Sequence, residues 1–249
     1  MGGLALSVIH AFTNRVINEA KTGSLVSAQP YTVTKIPGLL TPPPSAAQLA
    51  ILMVDGSGSM LEEASPGSGE SKAEAVVKAT RGTIDQFKKS RIKDSFWLST
   101  ISFNTKTAGM ASVGGDYVKV ADLDSGQVHY IPGFITKESK TDIALALSKA
   151  IEIGRKFEQD PSIPIDPRSR KVVVILLSDG LNNVGTRENV YAVARKVSNM
   201  WALCTVAFGD DADVEMLQQI AIDDRYFFQT ADSEKLRAIF IHSSTLVKR

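Results

Sequence analysis

Asp55-Gly-Ser-Gly-Ser59 sets one carboxylate and two hydroxyls within five residues, and two further oxygen groups match them in kind: Thr141 and Asp179. Oxygen donors of this mixture suit a small, hard cation. Mg²⁺ takes about six oxygens near 2.1 Å and keeps several waters, so it is seldom held by an all-carboxylate cage. The carboxylates of Asp55 and Asp179, the hydroxyls of Ser57, Ser59 and Thr141, and water meet that demand, with Mn²⁺ or Ca²⁺ as alternatives. Two carboxylates balance one dication. The expected site is therefore neutral, with an open position for one more anionic oxygen, and an Asp or Glu carboxylate of a protein partner is the natural occupant. A helix beginning near Thr141 adds a favourable dipole for such a ligand. Gly56 and Gly58 are expected to let the loop turn tightly enough to aim both serines inward.

Such groups converge only if the elements behind them bring them together. Leu49–Val54 and Lys171–Leu177 are continuous apolar runs, as is Trp201–Phe208, the pattern of strands buried on both faces of a parallel sheet. Asp55 directly follows the first run, and Ser178-Asp179-Gly180 directly follows the second. Both aspartates thus belong at the carboxyl ends of strands, where open α/β sheets hold their ligands. Helical patterns fill 72–89, opened by a capping box from Ser71 to Glu74, and also 142–157, 187–199, 213–221 and 232–246. This alternation predicts an α/β fold: a doubly wound, mostly parallel sheet with one antiparallel edge strand and helices on both faces. Phe96–Phe103 and Tyr117–Val120 are expected to form a strand pair, the second being the antiparallel edge. Arg225–Phe228 is expected to supply a last short strand.

The 249 residues suffice for one domain of about 200 residues and an appended segment. Residues 1–47 read as an N-terminal extension, and 48–249 as the domain. In the extension, Leu4, Val8, Ile9, Phe12, Val16 and Ile17 fall on a helical spacing and Tyr31–Ile36 alternates like an edge strand. Pro37 and Pro42–Pro44 then break regular structure. This extension reads as a tail on the domain or as a partner-docking helix. Hydrophobic residues make up 43% of the chain, charged residues 22%, and the net charge is +1. That balance places the chain in the ordinary globular class and gives no footprint for nucleic acid. No run reaches the roughly 18 apolar residues a spanning helix needs. Met1–His10 lacks the basic start of a signal peptide, so a cytoplasmic setting is expected. The single cysteine, Cys204, lies in an apolar run, allows no internal disulfide and reads as a core residue.

The Asp-x-Ser-x-Ser motif at 55–59, the threonine of Lys140-Thr141-Asp142-Ile143 and the aspartate of Leu176-Leu177-Ser178-Asp179-Gly180 resemble, in order and spacing, the metal-ion-dependent adhesion site of von Willebrand factor A domains. The resemblance covers roughly residues 49–249 and looks most similar to bacterial, intracellular members. It implies that Ser57, Ser59 and Thr141 ligate the metal directly, with Asp55 and Asp179 acting directly or through water. Two features depart from the pattern. Glu62–Glu70 lengthens the loop before the first helix with acidic residues expected to be flexible, and Ser139-Lys140 stands where many relatives have two glycines.

Other candidates weigh less. Asp142 reads as a helix-start residue, and Asp210, Asp211 and Asp213 as a solvated loop capping the next helix. His10, His129 and His242 are isolated in sequence and read as surface or packing residues. There is no Gly-x-x-x-x-Gly-Lys-Ser/Thr loop, no His-Glu-x-x-His and no Gly-x-Ser-x-Gly elbow. The chain is therefore expected not to be an enzyme. Two readings stand beside the interaction module: a Mg²⁺-dependent phosphoester hydrolase or phosphotransferase, and a structural subunit whose metal only stabilises it.

Overall fold

In this computed structural model, residues 46–246 are described, apart from 92 and 112–114; the expectations for the N-terminal extension lie outside the described residues. Seven strands form one sheet: β1 (Ala47–Asp55), β2 (Phe96–Phe103), β3 (Thr107–Gly109), β4 (Val118–Lys119), β5 (Arg170–Ser178), β6 (Ala202–Phe208) and β7 (Phe227–Thr230). Among the described residues five α-helices accompany them: α1 (Lys72–Lys88), α2 (Ile143–Gln159), α3 (Arg187–Met200), α4 (Val214–Ile220) and α5 (Ser233–Ser244). The sheet order is β3-β2-β1-β5-β6-β7, with β1, β2, β5, β6 and β7 mutually parallel. The doubly wound, mostly parallel α/β architecture is the one the sequence predicts.

Period-two side-chain alternation explains why the central strands are apolar throughout. In β1, Ala50, Leu52 and Val54 join a core formed with α1 and α5. Leu49, Ile51 and Met53 join a second core with α2, α3 and α4 on the opposite face. Each fully buried aliphatic side chain contributes about 1.5–3 kcal/mol, so β1 and β5 form a rigid base for the loops at their carboxyl ends. Helix α1 starts on a complete capping box: the Ser71 side chain accepts from the Glu74 amide, and the Glu74 carboxylate accepts from the Ser71 amide at 2.8 Å.

The antiparallel edge differs in detail from expectation. One row along the outer side of β2 is divided into β3, opposite Ile101–Phe103, and the two-residue β4, opposite Trp97 and Leu98. Val120 does not extend β4; it opens a 3-10 turn over Val120–Asp122. The last strand is also displaced toward the carboxyl end, because Arg225 belongs to the 3-10 turn Asp224–Tyr226, capped by Asp223. Cys204 is buried in β6, where burial pushes its thiol up to about 12. Among the described residues no helix is long and apolar enough to cross a membrane.

Candidate metal centre

The chain winds from β1 to β2 on one side and later returns to β5 on the other side of β1, so β1 and β5 are neighbours at the switch in winding direction. Their register pairs Val54 with Leu177. Asp55 and Ser178-Asp179 therefore emerge side by side, at the place where open α/β sheets form a ligand crevice.

All five sequence-derived residues meet there. Asp55, fully buried, accepts from the Ser57 amide at 2.8 Å through Oδ1 and from Ser178 Oγ at 2.6 Å through Oδ2. Thr141 Oγ1 donates to the same carboxylate at 3.3 Å (Oδ2) and 3.4 Å (Oδ1). The hydroxyls of Ser57 and Ser59 are 2.9 Å apart; Asp179 Oδ1 accepts from Ser59 at 3.0 Å and from Ser57 at 3.4 Å. Ser57, Thr141 and Asp179 are buried, and Ser59 is half-buried. Adjacent oxygens of an octahedron with arms near 2.1 Å lie roughly 3.0 Å apart. The spacing within this group, 2.9–3.4 Å, fits such a shell. Among the described residues no group of three or more His, Cys, Asp or Glu side chains could hold a metal; the fit here depends on hydroxyls.

Glycine acts in this loop through close approach rather than backbone handedness. Neither Gly56 nor Gly58 has positive φ. A Cβ on Gly56 would lie 2.6 Å from Phe134 and Ser102, and one on Gly58 would lie 2.5 Å from the Lys137 carbonyl oxygen. The loop is thus clamped between β2 and the 131–139 segment. Gly58 N–H donates to the Ser139 carbonyl at 3.0 Å, and buried Asn104 donates to the Phe134 carbonyl at 2.9 Å.

Burial dominates the electrostatics. It raises Asp55 from its ordinary 3.8 to about 6, aided by the neighbouring charge of Asp179 and opposed by hydrogen bonds from Ser178 and Ser57. Burial also raises Asp179, against the opposing effect of Lys72. Two carboxylates held together out of water favour any positive charge delivered between them.

The same geometry shows three contributions that sequence reasoning missed. Lys72, at the start of α1 and only 4% exposed, donates to Asp179 Oδ2 at 2.9 Å and to Asp211 at 2.9 and 3.1 Å. Burial alone lowers this ammonium, but hydrogen bonds to Asp211 and Asp179 outweigh it and the net shift is upward. Asn183 fixes Thr141 by accepting from its amide at 2.8 Å and donating its own amide to the Thr141 carbonyl at 3.2 Å; Asn182 accepts from Ile143 N–H at 3.0 Å. Tyr130 OH donates to the Asp55 carbonyl at 3.3 Å.

Three expectations are corrected. Asp211 is not merely solvated: it reaches the crevice through Lys72. The 62–70 loop is closed on itself, since Ala64 N–H donates to the Glu70 carbonyl at 2.9 Å and Lys72 N–H to the Glu62 carbonyl at 2.8 Å. The protein's own charge at the site is not simply that of two carboxylates, because a buried ammonium joins them. Asp142 and Asp213 do cap α2 and α4, as expected, although Asp213 is buried and paired with Arg187 at 2.7 Å. Lys140 is exposed beside the site, and of the other two histidines His129 is exposed and His242 buried.

The sequence profile of the von Willebrand factor type A domain matches residues 51–241. The chain belongs to that family. Members of the von Willebrand factor A family are often metal-dependent adhesion or interaction modules rather than enzymes. Among curated proteins no relative matches. Solved structures similar to this domain include a von Willebrand factor type A protein from Catenulispora acidiphila, with a TM-score of 0.57 and 20% identity over 80% of this chain and 42% of that one. Another is the proximal thread matrix protein 1 of the mussel byssus with a zinc-occupied MIDAS motif, with a TM-score of 0.55 and 20% identity over 80% and 46%. The manganese-loaded TRAP protein of Plasmodium vivax aligns with a TM-score of 0.50 and 17% identity over 80% and 74%. At these identities the likeness concerns the fold. This chain spans less than half the length of the first two proteins.

Proposed function

We propose that this von Willebrand factor A domain is a non-enzymatic interaction module that captures an acidic side chain of a protein partner at a divalent cation, Mg²⁺ in the first instance and Mn²⁺ or Ca²⁺ as alternatives. Ser57, Ser59 and Thr141 would hold the cation directly, with Asp55 and Asp179 acting directly or through water. When bound, it would supply a Lewis-acidic contact for one carboxylate oxygen of the partner. The observation that carries this reading is the convergence of five side chains from three separate loops, with the oxygens of Ser57, Ser59 and Asp179, and those of Thr141 and Asp55, 2.9–3.4 Å apart. Similarity to structures described as zinc-occupied and manganese-loaded supports a divalent metal of some kind.

The chain's own residues define the rest. Ser178 and the Ser57 amide hold the Asp55 carboxylate, Asn183 fixes Thr141, and Tyr130 anchors the end of β1. Leu61, Ile131 and Leu181 are the exposed large hydrophobic side chains among the described residues, at 48%, 42% and 59% exposure. Leu61 and Leu181 follow Ser59 and Asp179 by two residues, and Ile131 adjoins Tyr130. Exposed apolar groups that neighbour the site residues in sequence fit a protein partner. The functional unit in this reading is residues 48–249, with 1–47 an extension, and its setting is the cytoplasm, with which a lone buried thiol agrees.

Isothermal titration of chelator-stripped protein with Mg²⁺, Mn²⁺ and Ca²⁺ tests the reading. Saturable binding is expected, weakened by about tenfold or more in Thr141→Ala, since a direct ligand and its charge-assisted contacts are lost. Wild-type protein that binds none of the three cations, with or without a simple carboxylate in excess, or a mutant that binds them unchanged, would overturn it. A phosphoester hydrolase would instead turn over a generic phosphoester in Mg²⁺ and lose that activity in Asp55→Asn; no turnover is expected. A purely structural metal would shift the melting temperature without supporting partner capture.

A further inference from the structure

We infer that Lys72 is a built-in counter-charge that makes cation binding at this centre conditional on an anionic ligand, an inference that rests on the metal-centre reading above. Three observations carry it. The ammonium is 2.9 Å from Asp179 Oδ2, while Oδ1 of the same carboxylate faces the Ser57 and Ser59 hydroxyls. Lys72 thus leaves the inner oxygen to the centre and occupies the outer one. It is held there by its own helix start, with its amide on the Glu62 carbonyl and its ammonium on Asp211. Finally, the Lys72 side chain is nearly inaccessible whereas that of Asp211 is 51% exposed, so water screens the Asp211 charge far more than the lysine's.

The charge count follows. Asp55 and Asp179 balance a dication, and Lys72 then leaves the centre with a buried positive charge that Asp211 at 2.9 Å and Glu62 at 3.9 Å, both largely in water, only partly offset. That excess weakens the binding of a bare cation and strengthens the binding of a carboxylate beside it. By linkage, the carboxylate tightens the cation by the factor by which the cation tightens the carboxylate. The centre therefore loads most strongly when an acidic group arrives with the metal or after it, which protects the domain from capturing cations and neutral surfaces indiscriminately.

The test is Mg²⁺ titration of the full chain with and without a large excess of sodium acetate, sodium chloride being replaced so that ionic strength is constant. In the wild type, acetate is expected to tighten Mg²⁺ binding. Lys72→Met removes the charge at similar length: Mg²⁺ alone should bind about tenfold tighter, and the acetate effect should shrink. Asp211→Asn, at an exposed position, moves the charge the other way: Mg²⁺ alone should bind about threefold weaker, with a larger acetate effect. Lys72→Arg keeps the charge and should keep the wild-type coupling. Circular dichroism confirms that each variant is folded; if Lys72→Met is not, Asp211→Asn alone decides by its sign. Equal or weaker Mg²⁺ binding in folded Lys72→Met, tighter binding in Asp211→Asn, or an acetate effect that does not depend on these charges would overturn the inference. Failure of the wild type to bind Mg²⁺ in either salt would instead overturn the metal-centre reading.

Discussion

Two buried cations stand at opposite ends of the sheet, and they are neutralised in different ways. Arg170 opens β5 at its amino end and donates to five backbone carbonyls, those of Phe157, Glu158, Asp160, Ile163 and Ile165, at 2.8–3.1 Å. Its acceptors include carbonyls at the end of α2 that have no partner within the helix. Lys72 lies by the carboxyl end of β5 and donates to two carboxylates, Asp179 and Asp211. A guanidinium surrounded by backbone dipoles fixes a chain reversal and has nothing to exchange with. An ammonium resting on carboxylates shares them with whatever else the site receives. The first arrangement serves stability, and the second serves selectivity.

This contrast is sharpest under mutation. Arg170→Ala takes a side-chain donor from five carbonyls, of which those of Phe157, Asp160 and Ile163 keep a backbone N–H, and we expect a loss of about 2–3 kcal/mol in denaturant unfolding with Mg²⁺ affinity of the surviving folded protein unchanged. A loss below 1 kcal/mol, or a parallel loss of metal affinity, would break the division between the two ends. The next effect belongs to the carboxyl end and depends on pH. Asp55 is raised from 3.8 to about 6 in the folded chain, so the folded state holds a proton that the unfolded state has released between those values. Its contribution is fully present below about 3.8 and is lost as pH rises through about 6, an amount of at most roughly 3 kcal/mol. In chelator, wild-type protein should therefore fall in stability relative to Asp55→Asn as pH is raised from 4 to 7, and saturating Mg²⁺ should reverse the fall. A difference between the two proteins that stays flat across this window would count against the buried carboxylate pair as a source of strain.

The ends also differ in how far they were legible in sequence. Continuous apolar runs identified β1, β5 and β6, and the residues following two of them identified Asp55 and Asp179, because strand burial and strand-end position are local patterns. Partners that arrive by packing are not local. Lys72 is an ordinary polar residue until α1 docks against the sheet, and Asp211 looks solvated until Lys72 reaches it. One signal was present: a lysine in the first turn of a helix opposes the helix dipole, so its placement directly after Ser71 asks for a buried anion. Asn182 and Asn183 follow Asp179 with nothing in their local pattern to single them out; only the adjacency of the 141 and 183 loops makes them supports for the Thr141 segment. The three-residue β3 is too short to show alternation, and β4 is shorter still, so the sequence pattern does not separate a divided edge from a single strand.

The smallest expected effect on stability tests whether the carboxyl end serves a partner at all. Leu61→Ser with Leu181→Ser removes two apolar groups that the folded domain leaves largely in water, so unfolding free energy should change by less than about 0.5 kcal/mol. Mg²⁺ titration should also be unchanged, since neither side chain supplies an oxygen to the centre. Capture of an acidic protein partner should nevertheless fall, because the partner's apolar groups beside its carboxylate would lose their counterpart. A double variant that is destabilised by 2 kcal/mol or more would mean that these leucines belong to the core and not to a docking rim. A variant that is stable, binds Mg²⁺ and still captures the partner with wild-type affinity would confine recognition to the charged centre and leave Lys72 as its main filter.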